Sequence, residues 1–314
     1  MSPSDILTRA ARPPDQVLRY GPRHEQFADL RLPVWSDETE SSPGSAAEWR
    51  PEWPVVIFLH GGFWRAAYDR THAGPLAEAL AAAGFAVCTP EYRRTGQPGG
   101  GWPGTFDDVA AAVDALPGLV AAAAGGRADL GRVVLAGHSA GGLVVLEAAR
   151  KMLEAGEPEP RVMLLDTARP YGNLDYYWGE SVMLWRQLPR IAAERLLAAA
   201  SKPFRRPTQA PAPADPQPSA GGLADADDTS VNASTTQPGI AKKRYQVAPY
   251  GGKVAVMRTR QGWLIAMGRR TLGWSSVTRE RPDLIPVPGA HMTMLRPPHV
   301  EVVARRMTDW LSAR

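Results

Sequence analysis

Short, nearly continuous apolar runs alternate with longer amphipathic ones over most of this chain. "PVVIFLH" (54–60), "FAVCTPEY" (85–92), "RVVLAG" (132–137) and "RVMLLD" (161–166) have the length and β-branched content of buried strands. Between them, "AGPLAEALAAAG" (73–84), "TFDDVAAAVDAL" (105–116) and the run from Leu143 to Leu153 carry helical spacing. Gly84 stops the first helix, and Asp107 and Asp108 stand near the start of the second, where the helix dipole favours negative charge. Apolar strands alternating with helices predict an α/β protein with a mainly parallel sheet covered on both faces. Upstream, "EQFADLRLPVW" (25–35) alternates in places like an edge strand and runs into a polar Ser/Pro/Gly-bearing loop. Downstream, "GKVAVMRTR" (252–260) and "DLIPVPGAH" (283–291) read as strands, and "HVEVVARRMTDWLSA" (299–313) as a closing amphipathic helix.

The alternation breaks once. Residues 174–200 are aromatic and then amphipathic, which predicts helices; residues 205–241 contain no aromatic residue and are rich in Pro, Ala, Ser, Thr and Asp. That second stretch has too little apolar surface to offset its ordering entropy and reads as a disordered insertion. The chain is therefore read as one domain over 1–314, with a helical segment at 173–202 and the insertion at 205–241.

Composition narrows the classes. The 314 residues can bury one large core or two modest ones, and 44% hydrophobic with 22% charged residues is ordinary for a globular protein. The net charge of +4 comes from arginines spread along the sequence, with no basic stripe interleaved with aromatics, so a nucleic-acid partner is not expected. Cys88 is the only cysteine, which excludes an intrachain disulfide and a cysteine metal cluster. The first residues lack an apolar core of signal-peptide type, and no apolar run reaches membrane-spanning length. A cytoplasmic protein without a membrane partner is expected.

The chemistry starts from "LAGHSAGGLV" (135–144). Gly137-x-Ser139-x-Gly141 falls where a strand turns abruptly into a helix, the context in which a serine is lifted out as a nucleophile. A serine hydroxyl attacks only if a base takes its proton, and the base needs an orienting group. Of six histidines, only His291 follows Ser139 in a loop directly after a strand and before the last helix. The penultimate strand region, "VAVMRTRQGWLIAMGRRTLGWSS", contains no Asp or Glu. Asp166, at the carboxyl end of the strand after the elbow, is the acid by placement; Glu280 and Asp283 precede the last strand and lie at its wrong end. "FLHGGFWR" supplies a glycine loop whose amides, at Gly62 or Phe63, would join that of Ala140 in holding an oxyanion. His60 is expected to brace this loop, and Trp64, beside it, to touch substrate.

At this point the sequence resembles the α/β-hydrolase superfamily over nearly its whole ordered length. Residues from about 19 to 142, with "HGGFW", "YDRTHAGPLAEALAAAGFAVCTPEYR" and "GWPGTFDDVAAAVDAL", are similar to kynurenine formamidase and carboxylesterase-like hydrolases. From about 137 onward, "GHSAGGLVVLEAARKMLEAGE", "VMLLDTARP", "LGW" and "VPGAHMTML" resemble the type I thioesterases of polyketide and peptide synthetases. The thioesterase resemblance implies the same three residues: Ser139 as nucleophile, Asp166 as acid and His291 as base. A formamidase would carry its acid after the penultimate strand, and a type I thioesterase does not usually carry "HGGFW". The change of branch at "GHSAGG" suggests a fusion of two hydrolase halves, which strands from two parents would have to accommodate in one sheet.

The function expected is a serine hydrolase acting on an ester or thioester with an apolar acyl group, needing no metal or organic cofactor. Tyr176, Trp178 and Trp185, in "DYYWGESVMLW", would line a lid above the acyl channel. The partner is a small-molecule acyl substrate, carried by an acyl-carrier domain if the thioesterase resemblance governs. Two alternatives stay open: a formamide hydrolase, suggested by "HGGFW", and a non-catalytic scaffold. Acyl chain, leaving group and oligomeric state are not legible in the sequence.

Overall fold

The computed structural model describes residues 11–34, 52–101, 103–169, 248–266 and 269–313. The expected lid (173–202) and insertion (205–241) lie outside them. Eight strands form one sheet: β1 (Gln16–Arg19), β2 (Phe27–Arg31), β3 (Trp53–Leu59), β4 (Ala86–Pro90), β5 (Ala128–His138), β6 (Arg161–Leu165), β7 (Val254–Arg258) and β8 (Asp283–Pro286), in the order β1-β2-β4-β3-β5-β6-β7-β8. β2 pairs antiparallel with β1 and β4, and every other pairing is parallel. The helices are α1 (Gly74–Ala82), α2 (Gly104–Ala123), α3 (Gly141–Glu154), α4 (Arg260–Ile265) and α5 (His299–Ser312).

Why the central strands read as unbroken apolar runs is visible in β3. Val55, Ile57 and Leu59 belong to one core with Val109 and Leu116 of α2 and Val144 of α3. Their neighbours Val56 and Phe58 belong to the other, with Leu76 and Leu80 of α1 and Met307 of α5. Alternate side chains thus face two helical layers, and no position along the strand is left for a polar residue. Each of these side chains contributes about 1.5–3 kcal/mol by leaving water.

Three sequence expectations shift. β2 is not the edge; β1, a four-residue strand whose side chains are mostly exposed, covers it. The helix expected to end at Leu116 continues through Pro117 to Ala123, because Leu116 and Val120 on its inner face are fully buried and packing outweighs the hydrogen bond that proline forfeits. Asp108 is not at an open helix end but has a fully buried side chain. Its carboxylate accepts from Arg93 Nε and Nη2 (both 2.8 Å), the Arg93 backbone N–H (2.9 Å) and Gln26 Nε2 (2.8 Å). Desolvation opposes ionisation there, but those donors hold the Asp108 pKa below its ordinary value. Asp108→Ala should strand the Arg93 charge and cost about 3–5 kcal/mol in urea unfolding. A loss under about 1 kcal/mol would mean solvent already screens the pair.

Among the described residues, no helix is long and apolar enough to cross a membrane.

Candidate functional site

The site lies on the carboxyl rim of the sheet, where β3, β5, β6 and β7 all end. β5 stops at His138, and Ser139 takes a left-handed backbone (φ 56°) before α3 begins at Gly141. A serine pays for that conformation, and the strain is held by its surroundings. The Ser139 N–H donates to Leu165 O at 3.0 Å, tying the turn to the end of β6. On the other side the loop after β3 presses against it: a Cβ on Gly61 would sit 2.8 Å from both His138 O and Ser139 Cβ. Only glycine lets that loop approach so closely. Ser139 is half-buried, and its Oγ makes no hydrogen bond among the described residues.

The loop continues through Gly62 (φ 95°), Phe63 (φ 53°) and Trp64 (φ 59°), three consecutive left-handed residues. Among the described residues, neither the Gly62 nor the Ala140 amide donates a hydrogen bond. Two uncommitted amides next to a serine are what binding an oxyanion requires. His60, fully buried, stands under this loop. Its Nε2 lies 3.2 Å from Glu91 Oε1, Tyr92 stacks on its ring at 4.3 Å, and Tyr92 Oη donates to the His60 carbonyl at 2.7 Å. Trp64 is 4% exposed and packs edge-on to Phe106 in the first turn of α2. Tyr176, Trp178 and Trp185 lie outside the described residues.

Asp166 and His291 come together from opposite ends of a 125-residue separation: His291 Nδ1 is 2.9 Å from Asp166 Oδ2. Asp166 directly follows β6, is left-handed (φ 47°), and has a fully buried side chain. Its backbone N–H donates to Met257 O at 2.8 Å, and Thr259 holds both carboxylate oxygens: the Thr259 N–H donates to Oδ1 and its Oγ1–H to Oδ2, each at 2.9 Å. Thr259 is also the side-chain N-cap of α4, accepting from Gly262 N–H at 2.9 Å. A Cβ on Gly262 would collide with the Asp166 carboxylate, so the first turn of α4 fits over the acid only because that residue is glycine.

His291 is gripped at its backbone as well as its ring. Its N–H donates to Gln261 Oε1 at 2.9 Å, and its carbonyl accepts from His138 Nε2 at 2.9 Å. Thr259, Gln261 and His138 were not singled out as site residues in the sequence. The one available signal was negative: Thr259 stands at the end of β7, where an acid was sought and none occurs. Asp283, set aside as lying at the wrong end of β8, indeed accepts from Trp310 Nε1 at 2.7 Å, far from this rim.

This geometry agrees with what the chain is similar to. A family described as alpha/beta hydrolase fold matches residues 56–216, just over half of the chain. The match runs through residues 137–142, where the two resemblances meet. The sheet is unbroken there, with β5 and β6 in register from Val134↔Arg161 to His138↔Leu165. Esterase LipI of Mycobacterium tuberculosis is 29% identical over 187 residues, covering 56% of this chain and 52% of its own length. The chain thus spans about half the length of that curated relative. Among solved structures, EstE7, an HSL homologue from a metagenome library, aligns over 99% of this chain and 90% of its own at 15% identity and a TM-score of 0.56. The Vlm2 thioesterase domain aligns over 82% and 97% at 19% identity and a TM-score of 0.46. With its strand order, its rim and a family match over half of the chain that takes in β4, β5 and β6, the chain belongs to the alpha/beta hydrolase fold family.

Proposed function

We propose that this protein is a serine hydrolase that cleaves an ester or thioester with an apolar acyl group through an acyl-enzyme. The observation that carries the reading is the 2.9 Å contact between His291 Nδ1 and Asp166 Oδ2 on the same rim as a serine in a left-handed turn. A carboxylate only accepts, so His291 carries its proton on Nδ1 and keeps a lone pair on Nε2. Nε2 takes the Ser139 proton as Oγ adds to the acyl carbonyl. The oxyanion that forms is held by the amides of Ala140 and of Gly62 or Phe63. His291 returns the proton to the leaving alcohol or thiol as the carbon–oxygen or carbon–sulfur bond breaks, and water repeats the sequence in reverse to free the acid.

The esterase relative supports the ester class; the position of the acid after β6 supports the thioester. An acyl-carrier domain is the partner if the substrate is carrier-bound, and we read the protein as cytoplasmic. The test is kcat/KM for a small-acyl ester, the matching thioester and N-formylkynurenine, side by side. Ester or thioester turnover supports the reading. Turnover of the formamide alone would give substrate choice to the "HGGFW" loop. A folded protein that turns over none of the three would be a scaffold.

Thr259→Val keeps the backbone donor to Asp166 but deletes the hydroxyl. A hydrogen bond to a charged group contributes about 1.5–3 kcal/mol, so kcat should fall at least tenfold with KM little changed. An unchanged kcat would show that the backbone N–H alone orients the acid.

A further inference from the structure

We propose that His138 is a positioning residue for the base: its Nε2–H holds the carbonyl oxygen of His291 and ties the turn bearing the serine to the loop bearing the histidine. This rests on the reading of His291 as base. His138 is the last residue of β5 and neighbours Ser139 in sequence, and it is 1% exposed. Its Nε2 lies 2.9 Å from His291 O. A carbonyl oxygen cannot donate, so the proton is on Nε2. Nδ1 is buried with no partner, and a lone pair is the form that costs least there. Burial, with His291 and His72 nearby, pushes the His138 pKa well below its ordinary value, in keeping with a neutral ring.

The ring is also a spacer. It lies at a tilt against the His291 ring, centroids 4.7 Å apart, and its Nδ1 would be 3.3 Å from a Cβ on Gly61. One imidazole therefore joins the serine turn through the chain and the base through Nε2, and its Nδ1 stands where a side chain at position 61 would crowd it. The alternative support for His291 is the Gln261 side chain on its N–H and Asp166 on its ring. Neither fixes the carbonyl end of the residue, and β8, which leads into this loop, is a strand of four residues with none fully buried. Without the His138 bond the peptide plane of His291 can swing, and a displacement near 1 Å at a reacting group costs about 100-fold in rate.

The experiment compares wild type with His138→Gln, whose amide nitrogen reaches as far as Nε2, and His138→Met, of similar volume but no donor. The readouts are kcat and KM on a small-acyl p-nitrophenyl ester and the rate of fluorophosphonate labelling of Ser139. The glutamine variant should stay within about tenfold of wild type. The methionine variant should lose about 100-fold in kcat and labelling rate with KM within about twofold. An active wild type whose two variants behave alike, or a methionine variant with full kcat, overturns this inference and leaves the hydrolase reading standing. A wild type that neither turns over the ester nor takes the label overturns both. Should the methionine variant not fold, nitrogen-15 spectra of the wild-type imidazoles decide. A slowly exchanging proton on His138 Nε2 is expected, and a proton on Nδ1 overturns the proposal.

Discussion

Ser139→Ala is expected to leave a folded protein that lacks the proposed turnover of esters or thioesters. Alanine has the same Cβ and accepts the same left-handed backbone as serine. The hydroxyl it deletes has no hydrogen-bond partner among the described residues, so stability should change by no more than about 0.5 kcal/mol. The chemistry has no such tolerance. In the proposed mechanism the acyl-enzyme forms through Oγ alone, and removing a serine nucleophile costs on the order of 10^6-fold in kcat. What survives is the rate that bound water achieves in the presence of the Ala140 and Gly62 amides. The check is kcat on the best of the three substrates, together with fluorophosphonate labelling and a melting curve on the same preparation. Retention of a tenth or more of wild-type turnover would move the nucleophile elsewhere. Loss of activity together with a collapsed melting transition would instead show that the strained turn needs the hydroxyl to fold.

The sheet was legible because its central strands are buried on both faces. β3, β4, β5, β6 and β7 could each be read from a short apolar run, since two cores take apolar side chains from both faces; the run marks only the buried second half of β5, whose residues Ala128–Val133 are exposed or half-buried. β1 could not. "QVLR" has four residues, mostly exposed, and its place is set by its pairing to β2 rather than by any pattern of its own. α4 escaped for a related reason: six residues are too few to show a helical period, and its start is fixed by the Thr259 cap. Trp64 was harder to place: it follows the glycine loop, where three left-handed residues in a row turn the chain, and its ring is nearly fully buried. Sequence adjacency to a loop says nothing about which side of that loop a ring will occupy.

The proposed acid, Asp166, is the most instructive residue. Elimination led to Asp166, because the run containing β7 has no carboxylate. What elimination could not show is how the rim compensates. β6 and β7 are neighbours in register, so moving the acid from the end of one to the end of the other shifts it by a single strand spacing. The His291 loop, arriving from β8, must then reach across β7. The residues that fill the intervening space are those of β7's own end: Thr259 donates twice to the carboxylate, and Gln261 receives the His291 N–H. These contacts span 93 and 30 residues of sequence, beyond the range of any local pattern.

That arrangement makes Asp166→Asn the second most damaging change, and for a reason specific to this rim. Thr259 N–H is a backbone donor and lies against Oδ1, so the amide oxygen of asparagine must take the Oδ1 position. Its NH2 group then falls at Oδ2, facing His291 Nδ1 and Thr259 Oγ1. Thr259 Oγ1, which already accepts from Gly262 N–H, would accept from this group as well and lose the acceptor of its own proton. His291 has to change too: facing an N–H, its Nδ1 must carry the lone pair, which puts the ring proton on Nε2, where the Ser139 proton has to go. The imidazole is held in the tautomer that cannot act as a base, and kcat should drop by about 10^4-fold with the fold intact. Asp166→Ala, which removes the carboxylate without dictating a tautomer, should be no worse than the asparagine variant in kcat, although it leaves the two Thr259 donors and His291 Nδ1 without the carboxylate and costs more stability. Measuring kcat and melting temperature for the pair separates the two roles. If asparagine retains within tenfold of wild-type activity, another carboxylate orients His291 and Asp166 serves only to close the turn after β6.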